Sequence, residues 1–95
     1  MHLSVSEIKK LLKKWHFYKA HTSTSAQDEL ARKVNAVEKA VAALDDLDKK
    51  IIQMHYIQGA EIEIVMAHVF MARSSVYYRL NVAVKEMSYF IANTV

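Results

Sequence analysis

The sequence contains no cysteine, no proline and only one glycine. Without cysteine there are no disulfide bonds and no thiolate metal sites, which favours a cytoplasmic protein over a secreted one. Proline and glycine supply the backbone angles of most tight turns between strands, so a β-rich fold is not expected. No apolar run reaches the roughly 20 residues of a transmembrane helix, and lysines interrupt residues 1–18, where a signal peptide would be apolar. These absences predict an all-α protein in the cytoplasm with no membrane partner.

Positive charge lies at the two ends of the chain. Of the 95 residues, 53% are hydrophobic and 24% are charged, and the net charge is +3. Residues 1–20 carry five lysines against one glutamate, residues 71–95 are also net basic, and residues 45–70 are net acidic. Two separate basic segments are typical of a protein that holds a polyanion through two elements, although a charge of +3 also suits an ordinary solvated surface.

The pattern of residues 1–44 predicts an N-terminal helical hairpin. Ser4 and Glu7 fit a capping box at the start of a first helix. The small polar residues at 21–25 are typical of a linker. From Leu30 to Leu44, apolar residues recur every three or four positions, like the seam of a coiled coil. This hairpin is expected to serve packing or dimerisation, and we expect a homodimer.

Residues 45–95 predict three further helices. Asp45 and its neighbours suit the start of a third helix, which Gly59 ends in a left-handed conformation. Residues 61–69 read as a short fourth helix, because a lone strand would leave its backbone unpaired. A last helix is expected from Arg73 to about Ala92. The predicted buried side chains are Leu47, Ile51, Met54 and Ile57 in the third helix and Val76, Leu80, Ala83, Met87 and Phe90 in the last.

The order of these elements is that of a helix-turn-helix. A helix ending in glycine is followed by a short helix, a three-residue break and a helix with arginine, serines and tyrosines in its first turns. The second helix of such a pair enters the DNA major groove, where its N-terminus faces phosphate and its first two turns reach base edges. The expected fold is therefore an all-α, five-helix single domain with a C-terminal helix-turn-helix in residues 45–95.

Residues 47–87 also resemble a known family. Two stretches carry the resemblance, Leu47-Asp48-Lys49-Lys50-Ile51-Ile52-Gln53-Met54-His55-Tyr56-Ile57-Gln58-Gly59 and Ala72-Arg73-Ser74-Ser75-Val76-Tyr77-Tyr78-Arg79-Leu80. They are similar to the region of bacterial sigma factors that reads the −35 promoter element, in the version found in small phage transcriptional regulators of the RinA and ArpU kind. Two positions depart from the family: Ala72 replaces a capping serine, and Met66 replaces a small alanine between the helices.

The resemblance and the exposed helix face together give the candidate site. The resemblance implies that Arg73, Ser74, Ser75, Tyr77 and Arg79 face double-stranded DNA, and the exposed face adds Tyr78 and Asn81. Lys9 and Lys13, with Lys10 and Lys14, form a lysine strip on the first helix. We expect this strip to contact phosphate without reading sequence, the alternatives being a solvated helix back or a surface for another protein.

Catalytic, metal and cofactor sites are not expected. The five histidines include no pair four residues apart and no ligand motif, and the chain has no nucleophile elbow and no glycine-rich loop for a nucleotide. The sequence therefore predicts a sequence-specific transcriptional regulator, phage or prophage encoded, in the cytoplasm of a bacterial host. Two alternatives are an oligomeric DNA-recognition subunit of a phage packaging motor and an interaction module that docks on RNA polymerase.

Overall fold

The computed structural model describes residues 1–22 and 29–94, and over these residues the chain is helical with no strand. The elements are α1 (Val5–Lys13), α2 (Trp15–Thr22), α3 (Glu29–Ala43), α4 (Asp46–Ile52), a π-helical turn (Gln53–Ile57), α5 (Ile62–Val69) and α6 (Arg73–Thr94). The all-α single-domain prediction is confirmed, with six α-helices in the described residues instead of five. The predicted linker at 21–25 overlaps the end of α2, and its positions 23–25 lie outside the described residues.

The additional helix arises from a break at Lys14. This residue has φ −111° and ψ 32°, outside the α-helical region, and it separates α1 from α2. The sequence pattern continued without interruption to Trp15 and did not indicate the break. On the far side of the break, Trp15 and Tyr18 pack against the hydrophobic core, and α2 lies against α3. The helix that follows the break thus packs on α3 and contributes two aromatic side chains to the edge of the core.

The predicted helix ends are confirmed. The Ser4 hydroxyl accepts from the backbone N–H of Glu7 at 3.1 Å, and the Glu7 carboxylate accepts from the N–H of Ser4, which completes the capping box. The Asp45 carboxylate accepts from the N–H of Asp48 at 2.8 Å at the start of α4. Gly59 follows the π-helical turn with φ +73°, the left-handed conformation that glycine adopts without steric cost.

Both halves of the chain pack on α6. Helices α1, α3, α4 and α5 all contact it, and the Ser88 hydroxyl donates to the Leu3 carbonyl at 2.6 Å. Its buried side chains are Val76, Leu80, Ala83, Val84, Met87 and Ile91. Phe90, predicted to be buried, is only partly so, because the helical period places Ile91 in line with Met87. Burial of this apolar stripe is the main stabilising term for the fold.

The structure differs from the sequence prediction at Leu47 and shows where the apolar seam of α3 is buried. Leu47 was expected in the buried stripe of α4 but is 38% exposed, and Asp48 takes the inward position with Ile51 and Ile52. The seam of α3 is buried within the chain's own core, at Val34, Val37, Val41 and Leu44. The apolar surface that suggested a homodimer is therefore used inside one chain at these positions, and the homodimer stays a prediction.

Phe70 stands in a strained position at the end of α5. Its backbone is left-handed, with φ 56° and ψ 47°, and its N–H donates to the Met66 carbonyl. A left-handed conformation costs an L-residue about 1–2 kcal/mol, and glycine usually occupies this position after a helix. The Phe70 ring is 92% exposed, so no burial of its side chain offsets that cost.

Replacing Phe70 by glycine is therefore expected to stabilise the protein. The free energy of unfolding of Phe70→Gly should exceed that of Phe70→Ala by about 1 kcal/mol, because alanine removes the ring but keeps the Cβ that disfavours the left-handed region. Urea denaturation of the two variants measures the difference. Equal stability would show that Phe70 carries no backbone strain.

Candidate nucleic-acid interface

The first two turns of α6 form an exposed polar surface beside α5. The two helices pack against each other and are joined by Phe70, Met71 and Ala72. The Ala72 carbonyl accepts from the N–H of Val76 at 3.0 Å, so Ala72 precedes the helix without a side-chain oxygen to cap it. Of the seven predicted site residues on α6, all but Arg79 are exposed: Arg73, Ser74, Ser75, Tyr77, Tyr78 and Asn81.

The helical period explains why so many polar side chains share this surface. Val76 and Leu80, four residues apart, point into the core with exposures of 0% and 2%. The residues between them point outward, so Tyr77 and Tyr78 are 44% and 66% exposed. Both tyrosines, including Tyr78, which the sequence pattern assigned to the exposed face, thus lie on the outer surface.

A shallow hollow lies among the predicted site residues. It encloses about 430 Å³ and is lined by Met71, Ser74, Ser75, Tyr78 and Arg79. Hydroxyl groups, a phenol and a guanidinium supply hydrogen-bond donors on its walls. The structure therefore brings four of the predicted site residues around one concave surface.

Arg73 is held by an ion pair with α5. Its Nη2 donates a short hydrogen bond to Oε1 of Glu63, and both side chains are more than half exposed. The hydrogen bond from Arg73 lowers the pKa of the Glu63 carboxyl. The same hydrogen bond and the Glu63 charge raise the pKa of the Arg73 guanidinium, with a smaller effect from Tyr77. These two residues lie on different helices, and their spacing in the sequence does not predict the contact.

Arg79 faces α4 and is engaged by two carboxylates. Its Nε lies 2.9 Å from Oδ1 of Asp48, and its Nη2 donates to Oδ2 of Asp45 at 3.4 Å. The Asp48 contact is an ion pair without hydrogen-bond geometry, since neither atom has a hydrogen-bond partner. Asp48 is 3% exposed, and burial raises its pKa while the Arg79 charge opposes that rise. Arg79 therefore compensates a buried charge as well as lining the hollow.

The lysine strip is carried by a different element. Lys10 and Lys13 are exposed on α1, Lys14 is exposed at the break that follows it, and Lys9 is half-buried. Leu3, two residues before α1, accepts a hydrogen bond from Ser88, which lies about 22 Å along α6 from its first residue, at 1.5 Å per residue. The strip and the first turns of α6 thus belong to different elements of the fold.

A second basic surface was missed by the sequence reasoning. A hollow of about 870 Å³ lies between the first two residues and α3, where Arg32, Lys33 and Lys39 line it together with Glu29. Lys33 forms ion pairs with Glu7 and Glu29, at 3.6 and 3.7 Å. The signal was present, because Arg32 and Lys39 are seven residues apart and share a helix face, but the balanced charge of residues 21–44 concealed it.

Among residues 1–22 and 29–94, no group of three histidine or carboxylate side chains is placed to hold a metal ion. Within the same residues, no helix is both long enough and apolar enough to cross a membrane.

The chain matches no protein-family model, and no curated protein or solved structure is significantly similar to it. The resemblance to sigma factors and phage regulators therefore stays a prediction, and a functional argument has to start from the geometry of the site.

The pairing of Arg79 with Asp48 predicts a pH-dependent loss of stability. A raised native pKa means that Asp48 binds its proton more tightly in the folded chain than in the unfolded one. Protonated Asp48 thus favours the folded chain at low pH, and this stabilisation is lost as pH rises through the native pKa of Asp48. In Arg79→Ala the opposing charge is gone, so the loss in free energy of unfolding should be about 2–3 kcal/mol at pH 7 and smaller near pH 4.

Denaturation at both pH values checks this expectation. Arg73→Ala removes an arginine from an exposed ion pair and should change the free energy of unfolding little at either pH. Adding Asp48→Asn to Arg79→Ala removes the uncompensated charge and should restore part of the stability at pH 7. A loss in Arg79→Ala that is the same at both pH values would contradict the electrostatic account.

Proposed function

We propose that the protein is a sequence-specific regulator of transcription that binds double-stranded DNA, with α5 and α6 acting as a helix-turn-helix. One observation carries the proposal: the first two turns of α6 expose basic, hydroxyl and aromatic side chains on the side opposite the core. A short helix packs beside those turns across a three-residue break. This is the arrangement by which a recognition helix is presented to a major groove.

The exposed side chains suit both kinds of contact that such a protein makes. A guanidinium such as that of Arg73 pairs with the O6 and N7 atoms of guanine, and an amide such as that of Asn81 pairs with adenine. The hydroxyls of Ser74 and Ser75 and the phenols of the two tyrosines are donors for phosphate oxygens. Arg79, which pairs with the carboxylates at the start of α4, would use its remaining N–H donors to contact DNA. Its ion pairs would also fix the position of α6 relative to α4.

Other parts of the proposal rest on the sequence. The phage or prophage origin and the bacterial cytoplasm follow from the family resemblance and from the absence of cysteine. A homodimer would place two recognition helices on half-sites about 34–36 Å apart.

Removal of Arg73 tests the readout. If Arg73 pairs with a guanine, Arg73→Ala should weaken binding to a selected site by about 1–3 kcal/mol and relax the preference at one base pair. Binding sites selected from a random DNA pool, followed by gel-shift titration, give both quantities. Arg32→Ala, which removes an exposed arginine from α3, is the matched control and should leave the preference unchanged. Unchanged selectivity of Arg73→Ala would remove Arg73 from the readout.

Removal of two lysines tests the strip on α1. Each phosphate contact contributes about 0.9 to the slope of log affinity against log salt concentration. Replacing Lys9 and Lys13 by glutamine should lower that slope by up to about 2 and leave the preferred sequence unchanged. The control replaces Arg32 and Lys39 by glutamine, which removes the same net charge from α3. An equal fall in both double variants would show a general effect of charge and no contact by the strip.

A further inference from the structure

The ion pair between Glu63 and Arg73 joins α5 to the first turn of α6. Glu63 lies in the first turn of α5 and Arg73 is the first residue of α6, ten positions later. Their side chains are 58% and 52% exposed, so the pair lies on the outer surface and not in the core. An exposed ion pair of this kind contributes little to stability. Stability alone is therefore a weak explanation for its role.

The pair restricts the side chain that the proposed function uses to read a base. An arginine has several rotatable bonds and loses rotamer freedom when it is immobilised on a partner. A guanidinium carries five N–H donors in a planar fork, and a carboxylate on one edge leaves the other edge available. Glu63 engages Nη2, so the Arg73 guanidinium has a partner on α5 before any ligand binds.

A second effect of Glu63 is electrostatic. Phosphate groups surround any base that Arg73 would reach, and a carboxylate in this position repels them. That repulsion disfavours binding wherever Arg73 finds no guanine to compensate. Glu63 thus orients the Arg73 guanidinium and repels the DNA phosphates. Both effects increase the difference in affinity between DNA that has the guanine and DNA that lacks it.

We propose that Glu63 is a positioning residue that sets the specificity of Arg73 for a guanine in the major groove. The proposal rests on the function proposed above, in which the first turns of α6 read DNA. It is carried by a different observation, the contact between Glu63 and Arg73, which joins α5 to α6 and is present without DNA.

Glu61 offers a matched control on the same helix. It is the exposed residue that precedes α5, and its side chain makes no capping hydrogen bond there. Glu61→Gln and Glu63→Gln remove the same charge two positions apart. Only the second replaces the carboxylate that pairs with Arg73 by a neutral amide, whose oxygen accepts a weaker hydrogen bond from the guanidinium, so a difference between the variants reports the contact and not the charge.

The experiment compares the wild-type chain, Glu63→Gln and Glu61→Gln on two duplexes. One is a site selected from a random pool. The other is the same site with adenine at the one position where Arg73→Ala abolishes the preference for guanine. Competition binding gives the ratio of the two affinities. We expect the ratio to fall by about tenfold in Glu63→Gln, within the range of one bidentate base contact, and to stay at the wild-type value in Glu61→Gln. Thermal unfolding midpoints of both variants should lie within about 4 °C of the wild type.

The outcomes separate this inference from the proposed function. A wild-type ratio in Glu63→Gln, with the preference still lost in Arg73→Ala, would overturn the role of Glu63 and leave the DNA readout standing. An equal fall in both glutamine variants would also overturn it, since charge alone would then explain the effect. Absence of any sequence preference in the wild-type chain would overturn both proposals.

Discussion

The structure depends on the burial of one face of α6. The apolar stripe of this helix packs against α1, α3, α4 and α5, so its orientation is set by contacts from both halves of the chain. Once Val76 and Leu80 are buried, the 3.6-residue period leaves the residues between them on the outside. The exposed surface of the first two turns is therefore a consequence of core packing.

The two arginines of that surface both pair with carboxylates, but one carboxylate is buried and the other is exposed. Arg79 compensates Asp48, a carboxylate that is 3% exposed, and burial raises the pKa of that carboxyl. Arg73 pairs with Glu63 in solvent, and this contact lowers the pKa of the Glu63 carboxyl. A buried pair is costly to break, whereas an exposed pair exchanges partners at little cost. Arg79 is thus suited to hold the helix, and Arg73 is suited to meet a ligand.

The sequence predicted those features that local chemistry determines. Capping at Ser4 and Asp45, the left-handed glycine at Gly59 and the start of α6 at Arg73 all depend on residues close in the chain, and the structure confirms them. The exposed face of α6 was also predicted, because its apolar period is regular.

Features that depend on distant partners were not predicted. The break at Lys14 follows a pattern that reads as continuous helix, and its benefit lies in contacts between α2 and α3. Leu47 was placed inside by its spacing, yet Asp48 turns inward because Arg79, from another helix, is there to compensate its charge. The pairing of Glu63 with Arg73 likewise has no signal in sequence spacing, since two helices must pack before these side chains meet.

The central claim is that the outer surface of the first turns of α6 is where DNA binds. Titration of the isotope-labelled chain with a duplex selected from a random pool, followed by amide chemical shifts, tests it most directly. The account predicts that the largest changes fall on residues 73–81 and on neighbouring residues of α5. Changes centred on the α3 surface around Arg32 and Lys39, or no change with any selected duplex, would contradict it.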